Sequence, residues 1–405
     1  MQLHLVLTGQ CNLACGYCYQ STPRSGTRMG EGTARDAVRN TLAAGDPPHR
    51  VVISGGEPFL APELIRSVIR YARDHEALTG RVECAVLTNG TLVTDEDLDF
   101  LAAHDVELQL SFDGVESAQA HRAPGTFARL DGLIARARKR QRNWASHRLS
   151  VAMMLQGSTV STLAESIRYL LGVGVSEIGV EPLATHDPGW TPLSGGRLAT
   201  QVDAVVRDSL DHWERTGEIP VTFLRLSARR RETAGPRAFV CAAPSGRNVA
   251  VDPSGRAWGC PSFVPGLQRL PPLGEEAAAG LHLGDVRHPD FRQRLAELPR
   301  RAGTVPLLLA RAKGRSVSGR CGDCPHAEQC LVCPAATCFI PGNRDPHRIP
   351  DNQCDFQRLT LEARQRFHRR AAGPSLLRET RCWMGPREKG PRAAGEGSHP
   401  EDPLS

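Results

Sequence analysis

Six short apolar runs alternate with helical stretches through the first half of the chain, and this alternation restricts the fold more than any other feature. "LHLVLT", "RVVIS", "VECAVLTNG", "VELQLSFDG", "RLSVAMML" and "VSEIGVEPL" read as strands. Between them lie helical segments: about Glu31 to Ala43, "PELIRSVIRYARDH", "DEDLDFLAAHD", "TFARLDGLIARARKR" and "STLAESIRYLLG". The pattern predicts an α/β fold, with parallel β/α units closing into a partial (β/α)6 barrel. One more helix is expected from about Gln201 to Glu218, after which the chain turns rich in Gly, Pro and Cys. The expected organisation is a barrel over residues 1–220, a bridging region and second, loop-rich domain over 221–370, and a disordered Gly/Pro/charged tail over 371–405.

In parallel β/α folds the chemistry sits beyond the C-terminal ends of the strands. Unusual residues collect there. Cys11 follows the first strand, Gly55-Gly56-Glu57-Pro58 the second, Thr88-Asn89-Gly90 the third, and Ser111-Phe112-Asp113-Gly114 ends the fourth. Four separated segments thus converge on one rim.

Composition narrows the partners. The chain has 405 residues, 40% hydrophobic and 23% charged, which is ordinary for a globular protein. It has no run of about 18 apolar residues, so no membrane span is expected. "MQLHLVLTGQC" has neither a basic n-region nor a small-residue cleavage site and reads as a first strand, which points to the cytoplasm. The net charge of +6 is spread over Arg-rich helices such as "RLDGLIARARKRQRN". These read as solvated helix faces, with a patch for an acidic partner as the alternative. Aromatic residues make up only 5% and do not interleave with basic ones, which argues against nucleic-acid binding.

The chain has 13 cysteines. In a reducing compartment clustered cysteines mean metal binding or catalysis. Cys11, Cys15 and Cys18 open the chain as "CNLACGYC". A structural zinc wants four ligands in a closed tetrahedron. Three thiolates on a tight loop instead suit a [4Fe–4S] cube, whose fourth iron is left open to an external ligand. A zinc or cluster site completed by a distant Cys is the alternative.

"CNLACGYCY" resembles the CxxxCxxC signature of the radical S-adenosylmethionine (radical SAM) superfamily, and the leading Thr8 and the aromatic Tyr17 fit it too. The resemblance implies that the open iron chelates the amino and carboxylate groups of S-adenosyl-L-methionine (AdoMet). It implies that one electron, from a flavodoxin- or ferredoxin-type donor, breaks the sulfonium bond to the 5′-carbon. The 5′-deoxyadenosyl radical then takes a hydrogen atom from the substrate, the cofactors carrying the difficult step. "GGEP" resembles the family's second-strand motif: Gly55 and Gly56 would let backbone approach the methionyl group, and Glu57 would accept from its ammonium. "SFDG" resembles the fourth-strand segment, which makes Ser111 and Asp113 candidates for ribose and methionyl contacts, and Arg122 in "HRAPGTF" a charge partner for the methionyl carboxylate. Asp113 as a turn cap and Arg122 as a surface charge are the plain alternatives. Met153 to Leu155 and Val180 to Leu183 are expected to flank adenine or substrate.

The later cysteines resemble a second pattern. Cys241 is followed by thirteen residues, Gly255, four residues and Cys260; then come Cys321-x2-Cys324-x5-Cys330-x2-Cys333, a gap, and Cys354. This is similar to the SPASM domain found in radical SAM enzymes, with x2 before Cys333 where x3 is usual. The resemblance implies one or two auxiliary [4Fe–4S] clusters. Cys321, Cys324, Cys330 and Cys354 would hold one, and Cys241, Cys260 and Cys333 the other. The fourth ligand of the second is not evident; Cys338 could close it or take the role of Cys333. A four-Cys zinc ribbon on "CGDC…CLVC" is the alternative. Cys84, inside a strand, reads as packing, and Cys382 as incidental.

SPASM enzymes mostly modify peptides and proteins. Sulfatase-maturating members usually carry Asp after the cysteine equivalent to Cys260; here Pro261 follows, which argues against that reaction. The barrel begins at residue 3, with no preceding domain to grip a leader peptide, so a peptide substrate would need direct docking or a separate recognition protein. The expected activity is oxidative modification or crosslinking of a residue in a ribosomally made peptide. A small-molecule dehydrogenase or epimerase is the alternative. No single catalytic residue is assigned.

Overall fold

The computed structural model describes residues 1–18, 26–76, 80–226, 241–265, 269–309, 315–316, 321–327, 329–330 and 332–371. Six parallel strands form as expected: β1 Gln2–Val6, β2 His49–Ser54, β3 Val82–Thr88, β4 Glu107–Ser111, β5 Leu149–Leu155 and β6 Glu177–Pro182. The expected break at 220/221 is not a break in the sheet. β7 Asn248–Val251 pairs parallel with the free edge of β1, and β8 Arg256–Trp258 and β9 His282–Asp285 follow antiparallel. The sheet order is β6-β5-β4-β3-β2-β1-β7-β8-β9. An unpaired strand edge presents a row of N–H and C=O groups that must be satisfied, and the C-terminal region supplies the partner.

Alternation along each strand separates two faces. One face packs on the helices: Leu3, Leu5, Val51, Ile53, Val86, Leu108, Leu110, Val151 and Ile178 are fully buried there. Each such side chain contributes roughly 1.5–3 kcal/mol on burial. The opposite face is polar in its lower half. Arg50 pairs with Glu107 at 2.5 Å and approaches its register partner Glu83 at 3.6 Å, and Ser150 Oγ donates to Glu107 Oε1 at 3.0 Å. Burial, helped by the Arg50 charge, pushes the His4 pKa down to about 4 and keeps that ring neutral. This charge network lies at the N-terminal ends of the strands, opposite the rim that carries the cysteine loop.

The helices form where their sequences cap and pattern them. Pro62–Asp74 buries Leu64, Ile65, Val68, Ile69 and Ala72 on one stripe. Asp95–Ala103 starts on a reciprocal Thr94–Asp97 capping box. The helix expected from Gln201 runs instead from Pro192 to Thr216. Gly195 and Gly196 hide its first turns from a propensity reading, but Thr191 and Ser194 cap it and Pro192 sits at its first position.

The C-terminal region is also more helical than its Gly and Pro content predicts, with helices at Pro272–Leu281, Phe291–Ala302 and Asp351–Ala371. The last packs on Pro192–Thr216. A Cβ on Gly195 would lie 2.8 Å from Asp355 Oδ2, so a larger residue there would push that carboxylate aside. Asn352 Nδ2 donates to Leu183 O at 2.9 Å, and Gln353 Nε2 to Pro182 O at 3.2 Å, clamping the end of β6. Cys84 lies in the core, as expected of a packing residue. Cys382 and the tail beyond Ala371 lie outside the described residues. Among the described residues no helix is long and apolar enough to cross a membrane.

Candidate active site

β1 leads into the loop that carries the three cysteines, and the end of β2 holds that loop in place. Gly56 N donates to Thr8 O and Glu57 N to Gln10 O, both at 2.8 Å. Gly55 sits at φ +152°, and a Cβ there would be 2.5 Å from Thr8 O. A Cβ on Gly56 would be 2.0 Å from Gln10 O. The glycine pair therefore allows close approach to the chain's own Thr8–Gln10 backbone.

Glu57 is likewise held by the protein itself. It is fully buried, and its carboxylate accepts from Phe59 N at 3.0 Å, Thr88 Oγ1 at 2.7 Å and Asn89 N at 2.8 Å. Burial raises its pKa above the ordinary carboxylate value, against the pull of these three donors. The group ties β2 to the end of β3. Glu57→Gln turns one acceptor oxygen into a donor beside these N–H and O–H groups. It is expected to cost about 1–3 kcal/mol, read as a lower thermal midpoint; an unchanged midpoint would show the carboxylate free to serve a ligand.

Tyr17, Asp113 and Arg122 form one buried unit. Arg122 grips Asp113 with Nε at 3.0 Å and Nη2 at 2.7 Å, and its guanidinium lies 5.5 Å from the Tyr17 ring centroid. Tyr17 Oη donates to Asp113 Oδ2 at 3.2 Å, and Met154 N to Asp113 Oδ1 at 2.8 Å. Burial disfavours the Arg122 charge, but the Asp113 carboxylate outweighs it and raises the arginine pKa. Burial raises the Tyr17 pKa, so the phenol stays a donor. Arg122, expected to be a charge partner for the methionyl carboxylate, is paired with Asp113 in the structure: an unpaired buried cation would be far costlier. The unit joins the cysteine loop to β4 and β5. Ser111 ends β4, half-buried, on the same rim. Asp113, Met153, Met154, Leu155 and Val180 line a small cleft beside it.

Cys11, Cys15 and Cys18 are half-buried on the loop. Leu13 N donates to Cys11 Sγ at 3.4 Å, and Cys18 N to Cys15 O at 3.1 Å. Asn12, Asn89 and Thr91 surround Cys11, with Asn89 Nδ2 at 3.7 Å from its sulfur. Asn12 and Thr91 were not singled out from the sequence. The Thr-Asn-Gly step past β3 was the available signal, since it already marked the rim.

The later cysteines fall into two places. Burial, then the thiolates of Cys333 and Cys241, pushes the Cys260 thiol up to about 12, so these three lie near one another. Cys321, Cys330 and Cys354 pack around Val332, Ala336 and Ile349, and Cys324 N donates to Cys321 O at 3.4 Å. Cys338 is buried in the main core with its Sγ 3.5 Å from Pro334 O; burial and the Cys333 thiolate push it up to about 12. Among the described residues no three His, Cys, Asp or Glu side chains form a ready cage for a single ion. One zinc needs its sulfurs about 2.3 Å from a common centre. A [4Fe–4S] cube takes one thiolate at each iron, and the donors gathered here are all thiols, which suits that group.

Residues 5–170 match the Radical SAM superfamily. The chain is similar to the serine-type anaerobic sulfatase-maturating enzyme of Klebsiella aerogenes, 23% identical over 70% of this chain and 72% of that protein. A Methanocaldococcus jannaschii protein is 26% identical, the match spanning 44% of this chain and 62% of its relative. Among solved structures, anSMEcpe with bound AdoMet and Kp18Cys peptide superposes with a TM-score of 0.68 at 15% identity, covering 92% of this chain and 99% of that one. Streptococcus suis SuiB bound to precursor peptide SuiA gives 0.54 at 12% identity, covering 87% and 75%. The last two show a shared fold. The rim that gathers Cys11, Cys15 and Cys18 lies inside the segment 5–170, which carries a Radical SAM domain, and that domain implies an AdoMet-binding [4Fe–4S] cluster.

Proposed function

We propose that this protein reductively cleaves AdoMet and uses the resulting 5′-deoxyadenosyl radical to modify oxidatively, or crosslink, a residue of a ribosomally made peptide. The observation that carries this reading is the placement of two further cysteine groups in the C-terminal region, whose last helix clamps the end of β6. The peptides bound in anSMEcpe and SuiB support the substrate class.

Cys11, Cys15 and Cys18 would hold the first cluster, which supplies the electron that opens AdoMet. In this reading Ser111 and the backbone at Gly55 and Gly56 would contribute to the AdoMet site at the rim. Glu57 and the Tyr17–Asp113–Arg122 unit keep that site in shape and bring no free charge to it. The reading gives Cys321, Cys324, Cys330 and Cys354 to one auxiliary cluster, and Cys241, Cys260 and Cys333 to another, with Cys338 within reach of Cys333. Pro261 opens a 3-10 turn directly after Cys260, so no carboxylate stands there to act as a base. An external flavodoxin- or ferredoxin-type donor would supply the electron, and a separate protein could present the peptide.

Anaerobic reconstitution tests this. About 12 irons per chain and 5′-deoxyadenosine formation on adding AdoMet and dithionite are expected. Cys324→Ala should lose roughly a third of the iron and keep some uncoupled AdoMet cleavage. Unchanged iron in that variant would overturn the assignment of Cys324. A mass change in a candidate peptide supports the substrate class; turnover confined to a small molecule rejects it.

A further inference from the structure

Asn89 is the residue immediately past β3, and both ends of its side chain are held. Its Oδ1 accepts from Thr91 N at 2.9 Å and from Thr91 Oγ1 at 2.7 Å. A backbone N–H can only donate, so the amide oxygen is fixed on that side and Nδ2 must face the other way. Nδ2 donates to Asn12 Oδ1 at 2.9 Å and to Cys11 Sγ at 3.7 Å. Asn12 Nδ2 donates back to Thr91 Oγ1 at 2.8 Å, closing a ring of three side chains. The Asn89 backbone is anchored as well, through its N–H to buried Glu57. The donor aimed at the Cys11 sulfur is therefore rigid and can have only one orientation.

We propose that Asn89 is a positioning residue that sets how readily the cluster accepts its electron, by donating an N–H to the Cys11 sulfur. This rests on the reading of Cys11 as an iron ligand. Hydrogen bonds to ligand sulfurs are among the determinants of an iron–sulfur potential, and the groups behind the ligands tune the metal. One electron enters from the external donor and adds negative charge to the cluster and its thiolates. A fixed N–H dipole pointing at one thiolate stabilises that reduced state. No bond forms or breaks at Asn89, and its amide loses no proton.

Two variants test it. Asn89→Leu removes the donor at similar size. Thr91→Val keeps Asn89 but deletes the hydroxyl that orients it. The reconstituted full chain is titrated anaerobically against potential, following the EPR signal that changes when AdoMet is added. Asn89→Leu is expected to reduce at a more negative potential than the wild type at equal iron content, and Thr91→Val to shift the same way by less. An unmoved potential in Asn89→Leu at equal iron overturns the proposal. If that variant loses its iron, Thr91→Val at full iron decides on the same criterion. Iron loss in both also overturns it, because the ring would then build the loop and not tune the sulfur. A wild type with no AdoMet-responsive signal sinks the cofactor reading, and this proposal with it; a normal wild-type signal with unmoved variants sinks this proposal alone.

Discussion

Cys15→Ala is expected to drop 5′-deoxyadenosine formation to the no-enzyme background, a loss of roughly a thousandfold or more, equal to about 4 kcal/mol of barrier. Cys15 is the middle sulfur of the loop. Its carbonyl closes the turn that presents Cys18, and its thiolate lies in the field of Tyr17 and Arg122. With two sulfurs left, the cube has two open corners where one is needed, and about four irons per chain should go with it. Iron and product are measured on the same anaerobic preparation. A variant that keeps its iron and still cleaves AdoMet removes the three-cysteine site from the account.

Gly56→Ala should be nearly as damaging without touching any sulfur. The new methyl would meet Gln10 O at 2.0 Å and Gln10 C at 2.5 Å, and both are backbone atoms that cannot rotate away. The segment leading into Cys11 must move. Displacements near 1 Å at a reacting centre can cost about a hundredfold in rate, and overpacking adds about 1–3 kcal/mol of destabilisation. The expected result is a lowered thermal midpoint, unchanged far-ultraviolet circular dichroism and about a hundredfold less 5′-deoxyadenosine. Gly16→Ala is the control: a Cβ there has nothing within 4 Å, so it should change neither quantity. Equal behaviour of the two variants would mean that the glycine pair does not hold the loop.

These two sites also mark how far the sequence could be read. The six strands were legible because alternation is a local property, and so was the rim that their ends share. Residue partnerships were not. Glu57 and Arg122 read as ligand contacts, and no local pattern announced that Asn89, Thr88 and Asp113 hold them within the protein. Asn89 lies 32 positions from Glu57, and no periodicity links them. The start of the helix at Pro192 was missed for the opposite reason. Two glycines with poor propensity are tolerated there because Gly195 gives Asp355 room. The union of β7 with β1 joins residues almost 250 apart in the chain, a pairing that no window of sequence contains.

That union has a consequence for how the protein is made. β1 is synthesised well before its second neighbour, Asn248–Val251, which arrives only after most of the sheet has been made. Until then a flat apolar strand next to the cysteine loop lacks half of its ladder, which is a template for misassociation. A translation product stopped near residue 220 would keep that seam open for good. The seam therefore closes only once the C-terminal region has been made.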